Sequence, residues 1–143
     1  GNDVDLIVSH HDFDATPERE VLTAIIEQCD SYGDIAKVAT SPGDLSDTLT
    51  LLGALHEATQ AGIDAAGIAM GEVGSHTRVI GHVYGSKLGY APLQDDDSEY
   101  APGQLPLRTL AALVEATRIE GGSPDLDALA DDASVPSELS LPN

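Results

Sequence analysis

The chain has 143 residues, of which 25 are acidic and only 6 are lysine or arginine, so its formal net charge is −19. This length allows one domain with its own hydrophobic core, and so acidic a surface disfavours nucleic acid and anionic membranes as partners. A hydrophobic content of 41% argues against disorder over most of the chain. We therefore interpret the acidity as adaptation to high salt, which screens the repulsion between carboxylates.

A single cysteine, Cys29, excludes an intrachain disulfide and favours a cytoplasmic setting. The sequence contains neither an apolar run long enough to span a membrane nor a signal-peptide pattern. The chain opens on Gly1 rather than methionine, which indicates a fragment, a processed product or a recombinant piece of a longer protein.

The first predicted unit is a strand followed by a helix. Residues 6–9 form an apolar strand that runs into His10-His11, and Thr16 is a suitable N-cap for the helix, with Pro17 in its first turn. The apolar residues of this helix recur at helical spacing and predict one buried face, made of Val21, Leu22, Ile25, Ile26 and Cys29.

Three more strand–helix units are predicted. The second strand, 35–39, is an apolar run between Gly33 and Ser41-Pro42-Gly43, which is typical of a buried strand. The other predicted elements are a helix over 45–60 with Leu49, Leu52, Leu55 and Ala58 on its apolar stripe and Gly62 as its stop, a strand over 66–70, a short helix over 75–81, a weaker strand over 87–91 and a helix over 107–117.

This alternation predicts an α/β fold with parallel strands, either a doubly wound sheet or a barrel. In both, functional groups gather at the C-terminal ends of the strands. We expect His10-His11, Lys37, Met70-Gly71 and the loop before Gln104 at such ends. Periodicity stops after residue 118, so the prediction divides the chain into a folded domain over 1–118 and an acidic, flexible tail over 119–143.

Lys37 is the most informative residue because it lies inside an apolar strand. Burial favours the neutral amine, which is a nucleophile for carbonyl groups. The alternative is a structural lysine whose ammonium group reaches water past its apolar neighbours.

Three other side chains complete a hypothetical site. Adjacent His10 and His11 point to opposite faces of a strand, so one of them can serve as a proton shuttle, and a metal held by both is disfavoured. Arg78 follows a glycine turn and suits a carboxylate or phosphate, unless it pairs with a surface acid. Gln104 follows the turn at Pro102-Gly103, from which its amide can reach a polar ligand or simply face water.

Six motifs between residues 5 and 117 together resemble type I 3-dehydroquinate dehydratase, the Schiff-base dehydratase of the shikimate pathway. The motifs, in order, are Ser9-His10-His11-Asp12-Phe13 with Thr16-Pro17, Asp34-Ile35-Ala36-Lys37-Val38-Ala39, Met70-Gly71 with Gly74, Thr77-Arg78, Tyr84-Gly85-Ser86 and Ala101-Pro102-Gly103-Gln104. That family has a (βα)8 TIM-barrel fold, and the resemblance begins at its fifth strand. It therefore implies strands 5–8, the C-terminal half of a barrel that usually needs about 250 residues.

The resemblance implies a role for each site residue. Lys37 would form the Schiff base with the substrate ketone, and His11 would act as general base and then as general acid toward the departing hydroxyl. Arg78 would hold the substrate carboxylate, and Gln104 would bond this carboxylate or a ring hydroxyl. The resemblance implies neither a metal nor a cofactor. Tyr100 stands where the family commonly has serine, so we assign it no role.

The implied activity is that of a cytoplasmic lyase that converts 3-dehydroquinate to 3-dehydroshikimate in aromatic amino-acid biosynthesis, as a homodimer when full length. The family's first four strands have no counterpart here, so we expect the isolated chain to be weakly active or inactive. Two alternatives stay open: another class I Schiff-base barrel enzyme of the aldolase type, and a non-catalytic half-barrel that acts as an assembly or regulatory partner.

Overall fold

The computed structural model describes residues 4–89 and 103–119. These residues form β1 (Ile7–His11), α1 (Arg19–Asp30), β2 (Ile35–Thr40), α2 (Leu45–Gln60), β3 (Ala65–Ala69), α3 (Thr77–Ile80), one turn of 3₁₀ helix (Gly81–Tyr84) and α4 (Leu107–Ala116). Tyr100 and the predicted tail beyond residue 119 lie outside the described residues.

The three strands form a parallel sheet in the order β1-β2-β3. One face of this sheet packs against α1 and α2 to form the core, in which Val38 of β2 and Leu22, Ile26, Leu51 and Leu55 of the helices have no exposed surface. The predicted α/β fold with parallel βα units is confirmed over these strands. Because side chains alternate along a strand, Lys37 lies on the face away from this core.

The predicted start of the first helix is wrong by two residues. α1 begins at Arg19 after an extended Glu18, rather than directly after Thr16. The Thr16 hydroxyl donates a hydrogen bond to the carbonyl oxygen of Ser41 at 3.0 Å, so it joins the β1–α1 loop to the end of β2 instead of capping the helix.

The apolar stripe predicted for α2 is displaced by part of a turn. α2 has the predicted bounds, and Leu52, Leu55 and Ala58 are buried as predicted, but Leu49 is 69% exposed. Thr48 and Leu51 are buried as well. The buried residues of α2 therefore recur at spacings of three and four residues, on the side of the helix that faces the sheet. Val21 of α1, at 49% exposed, likewise lies outside the core.

The predicted fourth strand is wrong over its described residues, 87–89, which form no strand. The outer edge of β3 is occupied differently: the Gly67 amide donates to the Ser86 hydroxyl at 3.1 Å, and the Ala69 amide donates to the Thr77 hydroxyl at 3.1 Å. The Lys87 amide makes a backbone bond to this edge, to the Ala65 carbonyl at 2.8 Å. Residues 90 and 91 lie outside the described part.

No helix over residues 4–89 and 103–119 is long and apolar enough to cross a membrane; α2, with 16 residues, is the longest described.

Candidate active site

Lys37 lies in the middle of the sheet rather than at a strand end. It is the third residue of β2, and the parallel register places it between Ser9 of β1 and Ala66 of β3. Its own strand neighbours on the same face are Ile35 and Ala39, so the stem of this half-buried residue has apolar neighbours along β2. The expectation of a strand-end lysine is therefore corrected: the amine projects from the face of the sheet.

Two physical effects favour the neutral form of this amine. Burial lowers the pKa of Lys37, and the positive charge of Arg78 lowers it further. A lysine with a lowered pKa carries a larger fraction of neutral amine near neutral pH, and the neutral amine is the form that attacks a carbonyl carbon. The second effect is a through-space interaction between two cationic groups, in a chain with only 6 lysine and arginine residues.

Arg78 is the second residue of α3. Its Nε atom is buried and has no hydrogen-bond partner in the part of the chain that the structure describes, and burial lowers the pKa of the guanidinium. Arginine remains charged in proteins, so a buried N–H without a partner is costly unless an acceptor reaches it. The neighbouring cation of Lys37 makes an anionic acceptor the favourable one, and a carboxylate can accept two bonds from one guanidinium.

His11, the last residue of β1, lies on the same face as Lys37. The register pairs it with Ala39, two residues beyond Lys37, so the Cα atoms of His11 and Lys37 are about 8 Å apart from strand spacing and rise. The imidazole is exposed and stacks on the ring of Phe13, with ring centroids 5.6 Å apart and an interplanar angle of 9°. Both ring nitrogens of a stacked imidazole lie at its edge, where they can exchange protons with a bound molecule.

The loop that carries Phe13 is fastened to the end of β2. The Asp12 amide donates to the Ala39 carbonyl at 2.8 Å, and the Ser41 hydroxyl donates to the Asp12 carbonyl at 2.9 Å. The Asp12 carboxylate accepts bonds from the amides of Asp14 and Ala15, each at 3.0 Å, which closes the turn. These bonds fix the backbone on both sides of His11 relative to the strand that carries Lys37.

Gln104 lies beside the loop between β3 and α3. The preceding Gly103 has a φ of +86°, and a Cβ atom there would lie 2.2 Å from the Gly71 carbonyl oxygen and 3.5 Å from Ser75 Cβ. Only glycine allows the two loops to approach so closely. Gln104 is half-buried, and it follows the glycine that contacts the β3–α3 loop and precedes α4 by three residues.

Arg78 thus interacts electrostatically with Lys37, His11 lies on the same face of the sheet as Lys37, and Gln104 follows the glycine that contacts the β3–α3 loop. Sequence reasoning assigned no role to Phe13, Ser41 or Thr77. Phe13 is the only phenylalanine of the chain and follows the histidine pair, which is the signal that could have identified it. Over residues 4–89 and 103–119, no group of three or more histidine, cysteine, aspartate or glutamate side chains is arranged to hold a metal ion.

The chain matches one protein family and several of its members in sequence. The family model described as type I 3-dehydroquinase matches residues 1–120. The chain is 41% identical over 112 residues to a 3-dehydroquinate dehydratase of Halobacterium salinarum, which covers 78% of this chain and 49% of the relative. It is 41% identical over 109 residues to that of Haloarcula marismortui, covering 76% of this chain and 47% of the relative.

The fold of the chain is also similar to solved structures of 3-dehydroquinate dehydratases. A 3-dehydroquinate dehydratase from Geobacillus kaustophilus has a TM-score of 0.68 at 39% identity and covers 76% of this chain and 42% of that protein. A type I enzyme from Clostridium difficile, solved with covalently modified comenic acid, has a TM-score of 0.71 at 28% identity and covers 78% of this chain and 44% of that protein. The chain therefore spans about half the length of the relatives that it matches.

Proposed function

The chain belongs to the type I 3-dehydroquinase family, and from this premise we propose that it supplies the Schiff-base half of a 3-dehydroquinate dehydratase. The observation that carries the proposal is the placement of Lys37: a half-buried lysine on the sheet face away from the core, whose pKa is lowered by burial and by Arg78. The proposed reaction converts 3-dehydroquinate to 3-dehydroshikimate with loss of one water molecule.

The proposed chemistry uses the residues in sequence. The neutral amine of Lys37 attacks the substrate ketone, and loss of water gives a protonated imine. His11 removes a proton from the carbon next to the imine, whose positive nitrogen accepts the electron pair, and then gives that proton to the departing β-hydroxyl. Water finally hydrolyses the imine, which releases the enone product and restores the amine.

Arg78 and Gln104 serve binding in this proposal. The buried guanidinium pairs with the substrate carboxylate, which gives the unpartnered Nε an acceptor and offsets the repulsion between the two cations. Gln104, fixed beside the β3–α3 loop by Gly103, donates to this carboxylate or to a ring hydroxyl.

We further propose that the chain corresponds to strands 5–8 of a (βα)8 barrel. β1 is an edge strand of the described sheet, and the relatives are about twice as long as the matched region. A half-barrel lacks part of the pocket, so the isolated chain is expected to turn over substrate weakly or not at all. Addition of the N-terminal half of a full-length relative, such as the Halobacterium salinarum enzyme, is expected to restore turnover.

The test traps the imine. The chain, with and without the complementing half, is incubated with 3-dehydroquinate and sodium borohydride in molar KCl, and its peptides are analysed by mass spectrometry. The adduct is expected on Lys37, with Lys87→Met as the matched control that keeps it and Lys37→Met as the variant that loses it. An adduct on Lys87 alone, or none in the complemented sample, contradicts the assignment.

Four outcomes separate the related proposals. Formation of an enone supports dehydration, whereas cleavage of a carbon–carbon bond would favour the aldolase alternative. Trapping without turnover in the complemented sample would favour a non-catalytic half-barrel. Full turnover by the 143-residue chain alone would contradict the half-barrel assignment.

The setting of the enzyme is also a proposal. The net charge of −19 and the relatives in Halobacterium salinarum and Haloarcula marismortui support adaptation to high salt. The expected location is the cytoplasm, and the expected assembly of the full-length enzyme is a homodimer. Unfolding that shifts to lower temperature as KCl is removed would support the salt adaptation, and an unchanged midpoint would contradict it.

A further inference from the structure

The hydroxyl of Thr77 joins the end of β3 to the start of α3. Thr77 is 1% exposed, and its Oγ1 accepts a hydrogen bond from the Ala69 amide at 3.1 Å and donates one to the Gly74 carbonyl at 2.6 Å. Its backbone amide also donates to the Gly74 carbonyl, at 3.0 Å. A single buried side chain therefore connects the strand, the turn and the helix.

The turn itself has no free space in which to move. A Cβ atom at Gly74 would lie 2.0 Å from the Ala69 carbonyl oxygen and 2.5 Å from its carbonyl carbon. The backbone of the turn is therefore in contact with the backbone of β3. Because both partners of the Thr77 hydroxyl belong to this contact, the hydroxyl determines how α3 leaves the strand.

Arg78 comes directly after Thr77, so its position depends on this connection. Its amide donates to the Ser75 carbonyl at 3.1 Å, while its Nε has no hydrogen-bond partner within residues 4–89 and 103–119. At that atom the guanidinium is held by packing rather than by a hydrogen bond, because the atom is buried. The direction of the arginine therefore depends on the atoms that bury it and on its backbone, which the preceding threonine fixes.

We propose that Thr77 is a positioning residue whose hydroxyl fixes α3 so that the guanidinium of Arg78 stands beside the amine of Lys37. In the dehydratase this placement holds the substrate carboxylate next to the carbon that the amine attacks. Only that last step rests on the proposed function, since the placement of Arg78 relative to Lys37 can be measured without substrate.

The experiment uses Lys37 as the reporter of where Arg78 lies. The chain contains two lysines, Lys37 and Lys87, so reductive methylation with ¹³C-formaldehyde gives two side-chain signals that NMR can follow against pH. In Arg78→Gln the Lys37 signal is expected to titrate at higher pH, because the neighbouring charge is gone. This shift calibrates the reporter.

Thr77→Val is expected to raise the titration midpoint of Lys37 by at least half of the Arg78→Gln shift, because valine keeps the shape of threonine but neither hydrogen bond. Thr77→Ser, which keeps the hydroxyl, is expected to titrate as the native chain does. The matched control is Ser86→Ala, which removes a comparable hydroxyl bond to the same strand at Gly67 and should leave the Lys37 midpoint unchanged.

The proposal is overturned if Thr77→Val titrates like the native chain, or if Ser86→Ala moves the Lys37 midpoint as far as Thr77→Val does. If Thr77→Val does not fold, Thr77→Ala takes its place, because the smaller side chain leaves room for a water molecule to bond the Ala69 amide. Absence of a borohydride adduct on Lys37 would contradict the proposed function but leave these titration results intact.

Discussion

Gly74 is the position where a single added methyl group should disturb both the fold and the site. Its φ is not in the left-handed region, so Gly74→Ala introduces no strain of backbone conformation. The problem is space alone: the new Cβ would be 2.0 Å from the Ala69 carbonyl oxygen, and real Cβ contacts are essentially never shorter than 3.0 Å. The turn must therefore move away from β3 by about 1 Å, in the manner of an overpacked core.

The expected cost follows from what this movement breaks. Overpacking of this kind costs about 1–3 kcal/mol. Displacing the turn also weakens the bonds that join Thr77 to Ala69 and to Gly74, each of which contributes about 1 kcal/mol. We expect Gly74→Ala to lower the free energy of unfolding by about 3–5 kcal/mol, a large share of the roughly 5–15 kcal/mol of a typical domain.

Urea unfolding followed by circular dichroism in molar KCl measures this cost. With a slope of about 1–3 kcal/mol per molar urea, the midpoint should fall by about 2 M. Gly43→Ala is the matched control: its Cβ would lie 3.5 Å from the Asp47 carboxylate, which is ordinary contact, so its free energy of unfolding should stay within about 0.5 kcal/mol of the native value. Equal midpoints for the two variants would refute the close contact between the turn and β3.

Three further predictions concern the core and the titrating groups. Leu55→Ala should lower the free energy of unfolding by about 2–5 kcal/mol, because Leu55 is fully buried. Leu49→Ala on the same helix, at a residue 69% exposed, should change it by less than about 0.5 kcal/mol. Urea unfolding of both variants measures these values, and equal losses would contradict the prediction. Burial raises the pKa of the Cys29 thiol, so Ellman's reagent should react at least roughly tenfold more slowly with the native chain than with the urea-unfolded chain. The pKa of Lys37 is lowered, so below the ordinary lysine pKa its neutral fraction exceeds that of a free lysine. The rate at which acetone and cyanoborohydride alkylate Lys37 should therefore level off at a lower pH than for a model lysine peptide. A plateau at the same pH as that of the peptide would contradict the prediction.

Local patterns predicted the elements whose boundaries depend on nearby residues. The bounds of α2 were correct because the Asp44 side chain caps the helix by accepting from the Asp47 amide at 3.1 Å, and Gly62 adopts a φ of +85° just after its end. β2 was placed correctly because its apolar run lies between a glycine and a proline.

The errors arose where side chains form bonds to distant residues. Thr16 had the character of a helix cap, but its hydroxyl bonds Ser41, 25 positions away. The fourth strand was expected beside β3, where the hydroxyls of Ser86 and Thr77 bond the edge amides instead. The closeness of Arg78 to Lys37 depends on the same turn, so the spacing of the two residues along the sequence carried no sign of it.

The alternation of side chains along the strands separates stability from chemistry in this domain. Val38 and its neighbours on the helix-facing side supply the core, whereas Lys37 and His11 lie on the opposite face and add no buried contact to it. Substitutions of these two residues should therefore change reactivity with little loss of stability. The β3–α3 turn is the exception, because the bonds of Thr77 stabilise the fold and direct Arg78 at once. Variants that retain stability while losing the site are thus expected on the sheet face, and variants that lose both are expected at the turn.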